Sequence, residues 1–306
     1  MDSPLTGAEK TFSMQRNFLQ LDKIRCLSAF SFILYTKNTK LFRLFASSGR
    51  IAPEDEESMK SRRMGSILPI TCCGGDGMQY LVLTVLLGLT LHACRGVVRL
   101  RRTGDAAAAH RRYLRASWAL GGTILAAMAV QELILLRAGL LTWQTGLPLH
   151  LCSLMGLTAL PALLSRRPLL LHASLYAGVP GAVLALLFPA VLDTPWPRLT
   201  ELAFHALHAG LVCVPLLPMA AGWKPRPQGA ASAWGFLLLA AAAAGLANRL
   251  TGGNYLFLAG PVAGTPLAPL ARWGRGVYRA LLALAAGIIL LLEGTAVRFF
   301  RRTKGE

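Results

Sequence analysis

The sequence predicts an all-α, polytopic membrane protein built as a bundle of about seven transmembrane helices. The 306-residue chain is 54% hydrophobic and only 15% charged, whereas ordinary globular proteins are about 25% charged. From Met78 onward, apolar runs alternate with short polar loops. Each run is close to the length of about 20 residues that lets a helix cross the hydrocarbon core. Because no water there can pair with free backbone groups, these spans must be helices.

Residues 1–76 differ from the rest of the chain. Eight of the 14 Asp and Glu residues lie in this segment, four of them in the run Glu54–Glu57. Its apolar stretch Leu27–Tyr35 falls well below the roughly 18 residues that a span needs. We interpret residues 1–76 as a polar, disordered extension or as upstream sequence wrongly joined to the protein. Residues 77–306 are then a seven-helix transmembrane domain with a short basic cytosolic tail.

Seven apolar runs supply the predicted spans. A kink is expected in the fourth, which contains Pro180 and several glycines. In chain order the predicted spans are Gln79–Val98, Ala116–Leu136, Pro148–Leu164, Leu169–Val191, Leu199–Ala221, Ala231–Leu250 and Val277–Val297.

The distribution of basic residues predicts the orientation. The connections after the first, third and fifth spans, together with the C-terminal tail, hold 15 of the 21 Lys and Arg residues that follow Gly77. The positive-inside rule therefore places the C-terminus in the cytosol and the start of the first span outside, in the plasma membrane if the host is a bacterium. The residues after Gly77, with 21 basic and six acidic side chains, carry most of the net charge of +18 in short clusters between apolar runs, a pattern typical of membrane proteins. The expected partners are therefore membrane lipids and not nucleic acid.

Polar side chains converge at one predicted depth, near the outer ends of the spans. Because ionisable groups inside a bilayer are costly, each of them is a functional candidate. Five segments that are distant in sequence contribute them, namely Glu132 in the second span, His150 and Cys152 in the third, Glu201, His205 and His208 in the fifth, and Asn248 and then Asn254 with Tyr255 around the end of the sixth.

The fifth span carries three of these groups on one helical face, because Glu201, His205 and His208 follow at i, i+4 and i+7. Glu201 could accept a proton from His205 and fix its tautomer. Alternatively, the three could ligate a metal, or form a structural network that pins helices together. No pair of cysteines has the spacing of a zinc or redox motif, and no metal or other cofactor is expected.

Cys152 is the candidate nucleophile. A buried cysteine is most often an inert small hydrophobe, but a thiol beside a histidine can lose its proton and attack a carbonyl. His150 is two residues away and points to another face of the helix. The base is therefore expected from a different span, with His208 or His205 as the natural candidates. Asn254 and Tyr255 could bind a headgroup or an oxyanion, or their loop could re-enter the protein and cap the bundle.

These residues carry a family resemblance. The run Leu147–Leu154, the His208–Gly210 step, the segment Asn248–Leu258, and Glu132 before the loop with Trp143 resemble the YwaF-type family of integral membrane proteins, which includes transmembrane protein 164. The chain departs from the family pattern at Gln79, where a histidine is common, and at Trp273–Tyr278, which replaces a Trp-Pro-Trp-Tyr run. The resemblance covers about Met78–Val297.

The resemblance implies a phospholipid acyltransferase in which Cys152 accepts the acyl chain and His208 is the base. Combined with the polar cluster, it predicts an enzyme that transfers or hydrolyses acyl chains at the outer leaflet. His205 would assist His208 there, and His150, Glu132, Glu201, Asn248, Asn254 and Tyr255 would contact the substrate. The alternative is a non-catalytic transporter or receptor-like helical bundle with a polar outer-leaflet pocket, in which Cys152 merely packs.

Overall fold

The computed structural model describes residues 77–189, 191, 193–261 and 268–303. Within these ranges the chain is helical and contains no strand, so the predicted all-α class is confirmed. The expectation for residues 1–76 lies outside the described residues.

Seven helices correspond in order to the seven predicted spans. Two short 3-10 turns, Tyr255–Phe257 and Ala268–Trp273, lie in the connection before the last helix. The helices are α1 (Met78–Arg102), α2 (Ala106–Arg137), α3 (Leu151–Ser165), α4 (Pro168–Leu187), α5 (Pro197–Ala220), α6 (Gly229–Thr251) and α7 (Arg275–Thr303).

Six of these helices are long and apolar enough to cross a membrane, and α3 is shorter, with 15 residues. The predicted third span began at Pro148, but the backbone at His150 is still extended and the helix begins at Leu151. Pro148 disfavours a helical conformation at Leu147 before it. In addition, the Leu147 amide donates to the Tyr255 hydroxyl at 3.0 Å, which ties the segment before α3 to the loop after α6. The predicted start of this span was therefore three residues too early.

The fourth helix is irregular at the predicted place. A π-helical turn, Ser174–Gly178, separates the α-helical segments Pro168–Ala173 and Val179–Leu187. Pro180 has no amide hydrogen to donate to the carbonyl four residues earlier, so the regular ladder cannot continue through it. The Val179 amide instead bonds to the Ser174 carbonyl, five residues back. The irregularity is thus a change of hydrogen-bond register next to the proline.

Three connections meet at one end of the bundle, which we call the basic end. The Arg101 and Arg166 guanidinium groups donate to the Ala220 and Ala221 carbonyls at 3.1 and 3.3 Å, where cations complement the negative end of the α5 dipole. Tyr176 of α4 donates to the Arg226 carbonyl at 2.7 Å. The opposite end, which we call the loop end, holds the described parts of the connections before α3, α5 and α7, namely residues 138–150, 193–196 and 252–261.

The short helix α3 still runs between the two ends. Its last turn reaches the depth of Tyr113 near the start of α2, since the Tyr113 hydroxyl donates to the Leu163 carbonyl. Helix α5 is central: it packs against α1, α2, α3 and α4, and 78% of its apolar stretch is buried, compared with 11% for α7. His205 and His208 of α5 are therefore enclosed by protein.

We expect the basic end to face the cytosol. In intact cells, a membrane-impermeant maleimide should label a Gln144→Cys variant at the loop end and spare an Arg302→Cys variant until the membrane is permeabilised. Both variants should be made in a chain without other cysteines. Labelling of Arg302→Cys in intact cells, with Gln144→Cys protected, would reverse the orientation.

Candidate functional site

A close contact at Gly156 sets the depth of Cys152. A β-carbon on Gly156 would lie 2.3 Å from the Met128 sulfur of α2 and 3.3 Å from a methyl carbon of Leu207 on α5, so only glycine lets the three helices approach this closely. Cys152 lies one turn nearer the loop end on α3. Glu132 lies one turn nearer the loop end than Met128 on α2. The register therefore brings Cys152 and Glu132 to the same depth on neighbouring helices.

The two histidines of α5 are buried, with 6% of His205 and 5% of His208 exposed. Each ring nitrogen Nδ1 lies 2.7 Å from the backbone carbonyl four residues earlier, that of Glu201 for His205 and that of Phe204 for His208. A carbonyl only accepts hydrogen bonds, so in each pair Nδ1 must carry the proton and donate it. In a neutral imidazole the other nitrogen, Nε2, then holds a free lone pair. Both rings are therefore fixed in the tautomer that acts as a base through Nε2.

The structure shows a different partner for His205 from the one expected. Its ring bonds to the backbone carbonyl of Glu201 and not to the carboxylate, which lies 4.0 Å from the Arg198 guanidinium toward the surface. A histidine side chain leans back along its helix, so the carbonyl one turn earlier is within easy reach. Among the described residues, His205 Nε2 is buried and has no hydrogen-bond partner, and no three His, Cys, Asp or Glu side chains gather as a metal site would require.

The two histidines face different directions around α5. Leu207 points at Gly156 of α3. At 100° per residue, His208 lies about 100° and His205 about 160° around the helix from Leu207. Phe204 lies between Leu207 and His208 on this surface, and its ring centroid is 4.2 Å from that of His208. His208 is therefore the histidine turned more toward α3, with Phe204 beside it. Cys152 has no hydrogen-bond partner within the part of the chain that the structure describes.

Asn248 and Tyr255 join the loop after α6 to the start of α3. The side-chain nitrogen of Asn248 donates to the Tyr255 carbonyl at 3.0 Å, and its side-chain oxygen accepts from the Tyr255 backbone amide at 2.7 Å. The fully buried Tyr255 hydroxyl in turn donates to the Trp143 carbonyl at 2.9 Å and accepts from the Leu147 amide. Asn248 thus holds Tyr255, and Tyr255 holds the segment that leads into α3.

Asn254 closes its own loop. Its side-chain oxygen accepts from the amides of Ala259 and Gly260 at 2.9 and 3.2 Å, and its amide nitrogen donates to the Gly260 carbonyl at 2.8 Å. Because backbone groups occupy the side chains of Asn248 and Asn254, the geometry favours the loop-capping alternative for Asn254, and it gives Asn248 a role in holding the loop instead of binding an oxyanion.

The aromatic part of this loop packs on His150. The His150 ring lies 5.3 Å from the rings of both Tyr255 and Phe257. Leu256 and Phe257 have positive φ angles of 52° and 57°, a backbone conformation that costs non-glycine residues about 1–3 kcal/mol each and clusters at functional sites. The strained loop therefore covers the residue two positions before Cys152.

Two residues that sequence reasoning missed hold the strained loop in place. The Tyr278 hydroxyl donates to the Phe257 carbonyl at 2.9 Å, and Arg279 Nε donates to the Leu258 carbonyl at 2.7 Å. Both lie in the first turns of α7. The sequence does show a tyrosine, Tyr278, close to the two glycines at the start of the last span. Its partner, however, is a backbone carbonyl, which no pattern of side chains identifies.

Comparison with known proteins identifies a family for most of the chain. The profile of the TMEM164 family matches residues 77–292, which is 216 of the 306 residues and extends from the start of α1 into α7. Neither a curated protein nor a solved structure matches the chain.

Proposed function

This chain belongs to the TMEM164 family of membrane proteins, and on that premise we propose that it is an enzyme acting on phospholipids. It would transfer or hydrolyse acyl chains, with Cys152 as the nucleophile and His208 as the base. The family resemblance of the motifs around Cys152 and His208 supports this assignment, as does the contact between Gly156 of α3 and Leu207 of α5, which places His208 within about two turns of Cys152 along the bundle.

One observation carries the proposal: His208 is a buried imidazole whose tautomer is fixed for base chemistry. Its Nδ1–H is held by the Phe204 carbonyl at 2.7 Å, which leaves Nε2 as the proton acceptor. A histidine that served only to pin helices would bond to another helix. The ring bonds of His205 and His208 stay within α5, so the structural alternative does not explain why two imidazoles are buried here.

The chemistry follows from these atoms. His208 Nε2 takes the thiol proton of Cys152, and the resulting thiolate attacks the ester carbonyl of a phospholipid. When the tetrahedral intermediate collapses, the ester C–O bond breaks and the leaving alkoxide receives the proton back from the imidazolium. This step leaves an acyl thioester on Cys152. A lysophospholipid hydroxyl or water, deprotonated by the same Nε2, then attacks the thioester and frees the thiol.

The other polar residues assist in this scheme. His205 supplies a second Nε2 near His208, and Glu132 lies at the depth of Cys152, where its carboxylate can meet the headgroup side of a substrate. Glu201 orients His205 through its backbone carbonyl. His150, under the loop that Asn248 and Tyr255 secure, forms the wall beside the first turn of α3.

A second candidate function is a non-catalytic transporter or receptor-like bundle, and one observation favours it. Cys152 makes no hydrogen bond to a base among the described residues, so the enzyme requires substrate or a water to bring Cys152 and His208 together. Catalytic hydrogen bonds are often long in unliganded enzymes and tighten on binding substrate. The experiment below separates the two functions.

Trapping of an acyl-enzyme tests the proposal. Purified full-length protein incubated with a phosphatidylcholine should gain the mass of one acyl chain, and hydroxylamine should remove it, because the adduct is a thioester. Cys152→Ala should abolish the adduct. The matched control Cys94→Ala, which removes another partly buried thiol, should retain it. An adduct that persists in Cys152→Ala, or its absence from wild type under conditions of turnover, contradicts the nucleophile assignment.

A further inference from the structure

A cavity of about 670 Å³ opens between α6 and α7 at the loop end, beside Leu258 and Ala259, which follow the strained loop. Three arginines line it: Arg249 in the last turn of α6, and Arg275 and Arg279 in the first turns of α7. They are half of the six basic residues that the chain has at this end after Gly77. Half of the positive charge at this end is thus concentrated in one groove.

The arginines have no carboxylate to neutralise them. No acidic residue lines the cavity, and none of the three forms an ion pair within the described ranges. Arg279 Nε donates to the Leu258 carbonyl, which leaves the two terminal nitrogens of the guanidinium group available to donate to a ligand. Like charges that lie close together repel each other. An anion bound among the three arginines would therefore be stabilised by their positive charge. Phosphate is well suited, because a guanidinium group can donate two parallel hydrogen bonds to its oxygens.

Apart from the three arginines and Asn248, the residues that line the groove are apolar or glycine, and the groove lies at membrane depth. Below Arg249, α6 presents Gly245, Ala242 and Ala241 to the cavity, and the eight helical steps from Ala241 to Arg249 span about 12 Å along the helix. A β-carbon on Gly245 would meet nothing within 4 Å, so the space is open along this surface. Small side chains thus leave a slot that runs from the arginines toward the middle of the bilayer.

We propose that this groove binds a phospholipid with a net anionic headgroup, its phosphate on Arg249, Arg275 and Arg279 and one acyl chain along Gly245 and Ala241. A free phosphate would satisfy the arginines and leave the apolar slot without a ligand. A lipid matches both parts at once, with charge at the interface and hydrocarbon below it. The site is separate from Cys152, so it goes beyond the proposed catalytic function and does not rest on it.

Native mass spectrometry of the full-length protein in detergent tests this site without an activity readout. With added dioleoyl-phosphatidylglycerol, wild type should retain one lipid per chain. Arg249→Gln/Arg275→Gln should bind it about tenfold more weakly, since two of three charge-assisted donors are lost. Gly245→Leu, which fills the slot, should weaken binding by a similar factor. The control Arg137→Gln/Arg198→Gln removes two positive charges from the same end outside the groove and should bind as wild type does.

The other outcomes overturn the proposal. Equal retention by all variants places the lipid elsewhere. Displacement of the lipid by excess inorganic phosphate, with no effect of Gly245→Leu, shows an anion site without a lipid slot. A dimer that Gly245→Leu dissociates shows that a second copy of the chain occupies the groove. If the double variant fails to fold, Arg275→Gln alone, at the exposed first residue of α7, makes the same comparison, with an expected weakening of about threefold.

Discussion

Replacing His208 by alanine is expected to lower phospholipid turnover by about 10²- to 10⁴-fold, the range that a positioned general base contributes. Cys152→Ala should lower turnover at least as much, because no thioester can form. The double variant should be no worse than the worse single variant, since a nucleophile and its base act as one unit and their effects do not add. The measurement is lysophospholipid release or acyl transfer by the three variants and wild type in vesicles.

Melting temperature separates this result from a structural one. His110→Ala, which removes an exposed histidine near the start of α2, is the matched control and should keep wild-type turnover. If His208 only packs, His208→Ala would lower the melting temperature and leave the turnover per folded molecule unchanged. Losses from His208→Ala and Cys152→Ala that add independently would also contradict a shared site.

Replacing Asn248 by alanine is expected to lower the free energy of unfolding by about 2–4 kcal/mol, because the amide and carbonyl of buried Tyr255 both lose their partner. Tyr255 then no longer holds Trp143 and Leu147, so the lead-in to α3 loosens as well. The measurement is denaturation in detergent monitored by helical signal, with Gln144→Ala as an exposed amide control that should change stability by less than about 0.5 kcal/mol.

This variant also tests how the loop serves the site. If the loop positions His150 and the first turn of α3, turnover per folded molecule should fall in Asn248→Ala. Tyr255→Phe should lower both the free energy of unfolding and the turnover per folded molecule, each by less than Asn248→Ala does. A stable Asn248→Ala protein would show that the two hydrogen bonds do not hold the loop. A destabilised protein with full turnover would show that the loop does not position the site.

The fold followed from sequence because the bilayer imposes a simple length rule. Apolar runs of about 20 residues can only be helices there, so all seven helices could be placed, and even the irregularity at Pro180 was visible. The start of α3 was misplaced because Tyr255, which lies 108 residues away from Leu147 in the sequence, fixes the non-helical segment that leads into the helix. No local pattern carries that information.

The site was only partly predictable for the same reason. The burial of His205 and His208 could be predicted from their position in an apolar span. Their hydrogen-bond partners could not, because the backbone carbonyl four residues earlier competes with nearby side chains for the ring N–H. The sequence left a binding role and a loop-capping role open for Asn254 and Tyr255, and the backbone partners of Asn254 favour the second. Tyr278 and Arg279 were missed because they hold backbone carbonyls of a loop whose strained geometry is set by its tertiary contacts.

The most direct test of the central claim, that His208 serves Cys152, is the reaction rate of that single thiol. In a variant that keeps Cys152 and lacks the other five cysteines, the rate of modification by N-ethylmaleimide should fall about tenfold or more when His208 is replaced by alanine, because the thiolate is the reacting form. His205→Ala should lower the rate less, since His205 faces further away from α3. An unchanged rate in folded His208→Ala protein, or a Cys152 thiol that does not react even in the presence of His208, would contradict the pairing.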